Sequence, residues 1–123
     1  MHYLALDIGK RRTGMAFVSE ETAVPVALDT VEHRTVQELV QSVALRSQEK
    51  GVHTVLCGLP LLPSGEEGEQ CRYVRSVAVA LQKCGLSVLF LDERYSTPQG
   101  SDFDGDAFAA CQLLLTFLDQ QKR

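Results

Sequence analysis

Apolar and polar positions along this chain follow two periods, and the places where the period changes mark the elements. Residues 2–6 form an apolar run of strand length, Gly9 and Gly14 bracket a tight basic turn, and residues 15–19 return as a second apolar segment. That pattern predicts a β-hairpin with Asp7 at its base. Residues 23–31 are β-branched and apolar, broken only by Pro25, and predict a third strand at an edge or with a bulge, completing an antiparallel meander. The period then becomes helical. Val36, Leu39, Val40, Val43 and Ala44 share one face, Thr35 with Glu38 makes a capping box at the start, and Gly51 ends the helix.

Residues 52–58 predict a short apolar strand, after which Gly58-Leu59-Pro60 turns the chain out of the sheet, and a loop at a strand's C-terminal end is a common place for a site. Ser64 with Glu67 reads as a second capping box, Cys71, Val74, Val77, Ala78, Leu81 and Cys84 give the second helix its apolar face, and Gly85 stops it. Residues 86–91 are almost continuously apolar, as expected of a strand covered on both faces in a parallel part of a sheet, and the run ends at Asp92-Glu93-Arg94. Residues 95–105 read as a loop. From about residue 104 to 119, Ala107, Ala110, Cys111, Leu114, Phe117 and Leu118 line one stripe of a packed terminal helix. The predicted order is β-β-β-α-β-α-β-α, an α/β fold with a mixed five-stranded sheet flanked by helices.

Composition narrows this picture. A chain of 123 residues matches one domain, residues 1–123, with one hydrophobic core. No apolar stretch is long enough to span a bilayer, and the start lacks a basic segment followed by an apolar run and cleavage site, so a soluble, unprocessed protein is expected. Cys57, Cys71, Cys84 and Cys111 form no CxxC pair and fall within apolar patterns, which predicts reduced, buried thiols and a cytoplasmic location. The net charge of -4 argues against a surface given over wholly to nucleic acid, but leaves room for a basic rim around an acidic site. Lys10, Arg11 and Arg12 beside Asp7 are such a rim, with Arg94 a further candidate, while Arg72 and Arg75 read better as ordinary solvated charges.

Three acids stand out. Asp7, Glu93 and Asp106 each sit at a strand end or helix start beside apolar core, where a lone carboxylate is costly to bury. A shared hard cation such as Mg²⁺ or Mn²⁺ offsets that cost, and phosphodiester hydrolysis commonly uses one or two such ions. The small Ala109 and Ala110, three and four residues after Asp106, let the last helix approach the sheet closely. Taken singly, Asp106 reads better as a helix cap, while Glu93 reads equally well as a surface ion-pair partner and as a site residue. Asp7 resists such a reading, because an acid followed by Gly-Lys-Arg rarely ends an apolar strand without a use.

Four motifs, in order across nearly the whole chain, carry a family resemblance: Leu6-Asp7-Ile8-Gly9-Lys10-Arg11-Arg12-Thr13-Gly14, then Cys57-Gly58-Leu59-Pro60-Leu61 with Gly65, then Asp92-Glu93-Arg94-Tyr95-Ser96-Thr97, and Asp106-Ala107-Phe108-Ala109-Ala110. The chain resembles the YqgF/RuvX family of Holliday junction resolvases and pre-16S rRNA nucleases, with an RNase H-like fold. The resemblance implies a metal-dependent endonuclease whose Mg²⁺ or Mn²⁺ is held by Asp7, Glu93 and Asp106. It implies phosphate contacts from Lys10, Arg11, Arg12 and Arg94, with Gly58 and Pro60 shaping a loop wall and Ser96 and Thr97 bonding phosphate or holding their own turn. The implied partner is nucleic acid, an rRNA precursor or branched DNA, with a ribosome-assembly or transcription partner conceivable and the chain a monomer or homodimer.

One departure from the family pattern is plain. Residues 95–105 are shorter than the family's usual segment and carry no Lys or Arg, which removes part of the expected nucleic-acid surface; Asp102 and Asp104 either supplement the site or cap the helix. Two rivals remain. The Asp-Ile-Gly turn also resembles the first phosphate loop of sugar kinases and actin-like ATPases, which need two such domains. A non-catalytic RNase H-like binding module is the other, and it predicts that Asp7→Asn leaves function intact.

Overall fold

The computed structural model describes residues 2–19, 21–92 and 105–121, with side chains of the last stretch described for 109–120. Its elements are β1 (His2–Ile8), β2 (Arg12–Ser19), β3 (Val26–Ala27), β4 (Val31–Glu32), α1 (Val36–Lys50), β5 (Thr54–Leu59), α2 (Glu69–Lys83), β6 (Ser87–Asp92) and α3 (Gly105–Gln121). The sheet order is β3-β2-β1-β5-β6, with β4 beside β2. The strands β1, β2 and β3 pair antiparallel, while β5 and β6 extend the sheet in parallel from β1. This is the mixed sheet expected.

Alternation along β1 sorts its side chains between two cores. Leu4, Leu6 and Ile8 point into a cluster with Met15, Leu39, Val43, Val55, Cys57, Val74 and Leu81, built between the sheet and helices α1 and α2. Ala5 points the other way, into a cluster with Ala16, Val18, Leu56, Leu91, Ala110, Leu113, Leu114 and Phe117 beneath α3. Of the stripe expected on α3, Ala110, Cys111, Leu114, Phe117 and Leu118 pack there, joined by Leu113, and the small Ala110 shares the cluster with the small Ala5 and Ala16; the Ala107 side chain lies outside those described.

Local chemistry ends α1 as the sequence predicts. Glu38 N donates to Thr35 Oγ1 at 3.1 Å and Arg34 N donates to Glu38 Oε2 at 2.7 Å, a closed capping box. Gly51 takes the left-handed φ of 67° that the helix end requires.

Five expectations need correction. The predicted strand over residues 23–31 is two short pieces, β3 and β4, both paired with β2; Ala23, at a left-handed φ of 55°, and Pro25 keep the chain before Val26 off the ladder. Ser64 and Glu67 do not cap α2. That helix starts at Glu69 after Gly68 without a side-chain cap; Ser64 Oγ accepts from Glu66 N at 3.3 Å, and Glu67 is held by Arg75. Gly14 does not bracket the turn but lies within β2, opposite Asp7, because the ladder runs on to Ile8 and Thr13. β6 is parallel as expected but is an edge of the described sheet, with Leu89 41% and Phe90 37% exposed instead of covered on both faces. Cys84 is exposed at the end of α2 instead of buried, although all four cysteines are free, as expected. Residues 95–104, read as a loop, lie outside the described residues, and Gly105 begins α3.

Candidate active site

Asp7 is the penultimate residue of β1, half-buried, and directly opposite Gly14 of β2. Its alternation parity is that of Tyr3 and Ala5, so it belongs to the sheet face that α3 covers. Along that face the β1–β2 register pairs Ala5 with Ala16 and Asp7 with Gly14, so small residues keep the floor low around the acid.

One ring contact ties α3 to β1. Tyr3 and Phe117 meet edge to face with centroids 5.0 Å apart, which puts the far end of α3 over the start of β1. From residue 117 back to 106 is about 16 Å at ~1.5 Å per residue, and from Tyr3 to Asp7 is about 13 Å at ~3.3 Å per residue, so α3 is long enough to span the distance from Tyr3 to the level of Asp7.

The basic turn is fixed by backbone contacts. Gly9 N donates to Arg12 O at 2.9 Å, and a Cβ on Gly9 would stand 2.5 Å from that same oxygen, so only glycine closes the turn. Lys10, Arg11 and Arg12 are exposed around it. His33 N donates to Arg11 O at 2.9 Å, tying the turn to the segment leading into α1. On the other side Gln70, in the first turn of α2, donates Nε2–H to Ile8 O at 3.0 Å, pinning the residue after Asp7.

Sequence reasoning missed both anchors. Gln70 reaches a partner 62 positions away, which no local pattern reveals. His33 is 3% exposed, and its Nε2 lies 2.8 Å from Thr13 Oγ1. Burial lowers its pKa below the ordinary 6.5, partly opposed by the Glu38 carboxylate. Its place just ahead of the Thr35 cap was the only available signal.

Of the predicted acids, Asp7 alone has its side chain among the described residues. The backbone of Asp106 is in the first turn of α3, while Glu93 and Arg94 lie outside the described residues. Among the described residues no three His, Cys, Asp or Glu side chains cluster as metal ligands do. The Asp7 carboxylate, half-buried at the end of β1, is a hard oxygen donor of the kind a divalent ion such as Mg²⁺ takes. Arg75 is engaged elsewhere, bonding Glu67 at 2.6 and 2.7 Å and lying over the Phe90 ring at 5.0 Å, in keeping with its reading as an ordinary surface charge. Cys57, within the middle motif, is buried, and burial pushes its thiol up to about 12, which leaves it protonated and structural.

Residues 1–120 match the RuvX family, described as Holliday junction resolvase. The chain belongs to the RuvX family. A RuvX relative from Anaeromyxobacter sp. (strain Fw109-5), named "Putative pre-16S rRNA nuclease", is 39% identical over 98 residues, covering 79% of this chain and 72% of its own length. One of the same name from Chlamydia trachomatis serovar L2 is 28% identical over 137 residues, covering 98% of this chain and 93% of its own. In three dimensions the chain is similar to T. thermophilus RuvC in complex with Holliday junction substrate, with a TM-score of 0.64 at 13% identity, covering 99% of this chain and 96% of that one. That likeness establishes the fold. Among the described residues no helix is long and apolar enough to cross a membrane.

Proposed function

We propose that this chain, as one nuclease domain over residues 1–123, is a metal-dependent endonuclease that hydrolyses phosphodiester bonds in pre-16S rRNA, at 5′-end processing, in the cytoplasm. The observation that carries the reading is the position of Asp7, at the end of the central strand, on the face that α3 covers, with Gly14 opposite. The RuvX relatives named as pre-16S rRNA nucleases support RNA as the substrate.

In this reading Asp7, Glu93 and Asp106 hold Mg²⁺ or Mn²⁺, which when bound supplies activated water and charge for the leaving oxygen. The chain's own groups do the rest. Asp7 stands at a strand end and the backbone of Asp106 at a helix start, two rigid supports, so little reorganisation accompanies reaction. Lys10, Arg11, Arg12 and Arg94 neutralise strand phosphates and set the register of the backbone over the acids. The hydrogen bond from Gln70 to Ile8 O and the Gly9 turn hold Asp7 and the basic rim in fixed relation.

The test is a Mg²⁺ and Mn²⁺ titration of the full chain with single-stranded RNA carrying the pre-16S 5′ extension, duplex RNA and a four-way DNA junction, with Asp106→Asn alongside. Cleavage of the RNA by the parent and its loss in Asp106→Asn is the expected result. Preference for the junction would move the substrate to branched DNA, as the family description has it. Cleavage of none, or equal cleavage by the variant, removes the nuclease reading.

A further inference from the structure

A cleft of about 470 Å³ opens beside the basic turn, lined by Arg11, Arg12, Glu32, His33, Arg34 and Glu38. It lies off the acid face. Thr13, which contacts His33, has the parity of Met15 and so belongs to the α1/α2 side of β2, whereas Asp7 belongs to the α3 side. Both are at the same end of the sheet, joined by the turn of residues 9–11.

Three features point to an anion here. Three guanidiniums face two carboxylates in a protein of net charge -4, so the cleft is locally positive against the overall balance. Among the described residues the guanidiniums of Arg11 and Arg34 have no ion-pair or hydrogen-bond partner, and one of the two carboxylates, Glu38, is turned onto the Arg34 backbone N–H at 2.7 Å. Finally, His33 is 97% buried (3% exposed), yet among the described residues its Nδ1 has no hydrogen-bond partner. A buried ring nitrogen without a partner is costly and asks for one.

The ring chemistry defines what that partner must be. With His33 neutral, one ring nitrogen carries the proton and the other accepts. If the Thr13 hydroxyl donates to Nε2, the proton is fixed on Nδ1, which leaves a buried N–H donor on a residue that lines the cleft. We propose that the cleft is a second phosphate site, in which His33 Nδ1–H, directly or through one water, and the Arg11 and Arg34 guanidiniums bind a backbone phosphate of a nucleic-acid strand whose scissile bond lies at Asp7. The cleft thereby anchors the strand at a distance from the reacting phosphodiester and takes over part of the basic surface that the short 95–105 segment lacks. The choice of a strand phosphate rests on the nuclease reading; the phosphate site itself does not.

The experiment uses the full Asp7→Asn chain without metal, so that nothing is cleaved. Ring ¹⁵N signals of His33 are recorded while inorganic phosphate, and separately a short single-stranded RNA, are titrated in. The expected result is a neutral ring protonated on Nδ1, a shift of that signal with both probes, and tighter binding of RNA than of phosphate. Arg34→Gln and Arg11→Gln weaken both probes, and each lowers the salt slope of RNA binding by about one. A ring protonated on Nε2, or probe binding unchanged in Arg34→Gln, overturns the site. Binding of inorganic phosphate that RNA does not displace overturns the strand assignment. Because no arm reads cleavage, an inactive parent would remove the nuclease reading while leaving the phosphate site standing, and an active parent with unchanged Arg34→Gln binding would do the reverse.

Discussion

The two faces of the sheet are built on opposite plans. Under α1 and α2 the strands present Leu4, Leu6, Ile8 and Met15, large side chains that fill a deep core. Under α3 the same two strands present Ala5 and Ala16, and at the end of that row Asp7 and Gly14. The large face holds the molecule together through buried apolar area. The small face lets a helix approach closely and leaves a carboxylate half-buried at its rim, where it has apolar neighbours but can still be reached. One strand, through simple alternation, serves stability on one side and the candidate chemistry on the other.

That contrast breaks in different ways on each side. Leu6→Ala, on the large face, leaves a cavity and lowers unfolding free energy by about 2–5 kcal/mol, measured by denaturant titration, with the site geometry on the opposite face retained. Ala16→Leu, on the small face, forces bulk between the sheet and α3; a loss of about 1–3 kcal/mol accompanied by a disproportionate fall in cleavage is expected, because the start of α3 is displaced from Asp7. If Ala16→Leu costs only stability and cleavage per folded molecule is unchanged, the closeness of α3 is not what the small residues serve.

The smallest effect concerns His33. Its folded pKa is lowered by burial, so as pH falls through the ordinary 6.5 the unfolded chain takes up a proton before the folded chain does. Stability is therefore full above that value, declines as pH drops below it, and levels off once the folded ring also protonates. His33→Gln flattens this slope in thermal denaturation followed across pH; a slope unaltered by the substitution would assign it to other groups.

Local features were mostly legible in the sequence, the failed Ser64–Glu67 cap being an exception, and the contacts between distant segments were not. The α1 caps at Thr35, Glu38 and Gly51 act within a few residues, and they stand where the pattern puts them. Asp7 stood out because an acid closing an apolar strand is chemically odd. The edge position of β6 could not be read from its apolar run, since a run of leucines and valines looks the same whether or not another layer covers it; sheet order decides. The strand over residues 23–31 failed for a local reason, since Ala23 and Pro25 disrupt the pairing that composition favours. The face that Asp7 shares with α3, the Gln70 bond to Ile8 O and the burial of His33 all depend on contacts between distant segments, and no spacing encodes them.

The central claim is that the acid on the small face is there for chemistry and not for folding. Cleavage of the pre-16S 5′ extension by parent and Asp7→Asn, in Mg²⁺ and at matched folded concentration fixed by thermal melting, tests it most directly. The account predicts an active parent and an Asp7→Asn chain that melts at nearly the same temperature but no longer cleaves. An Asp7→Asn chain that cleaves as fast as the parent would contradict it.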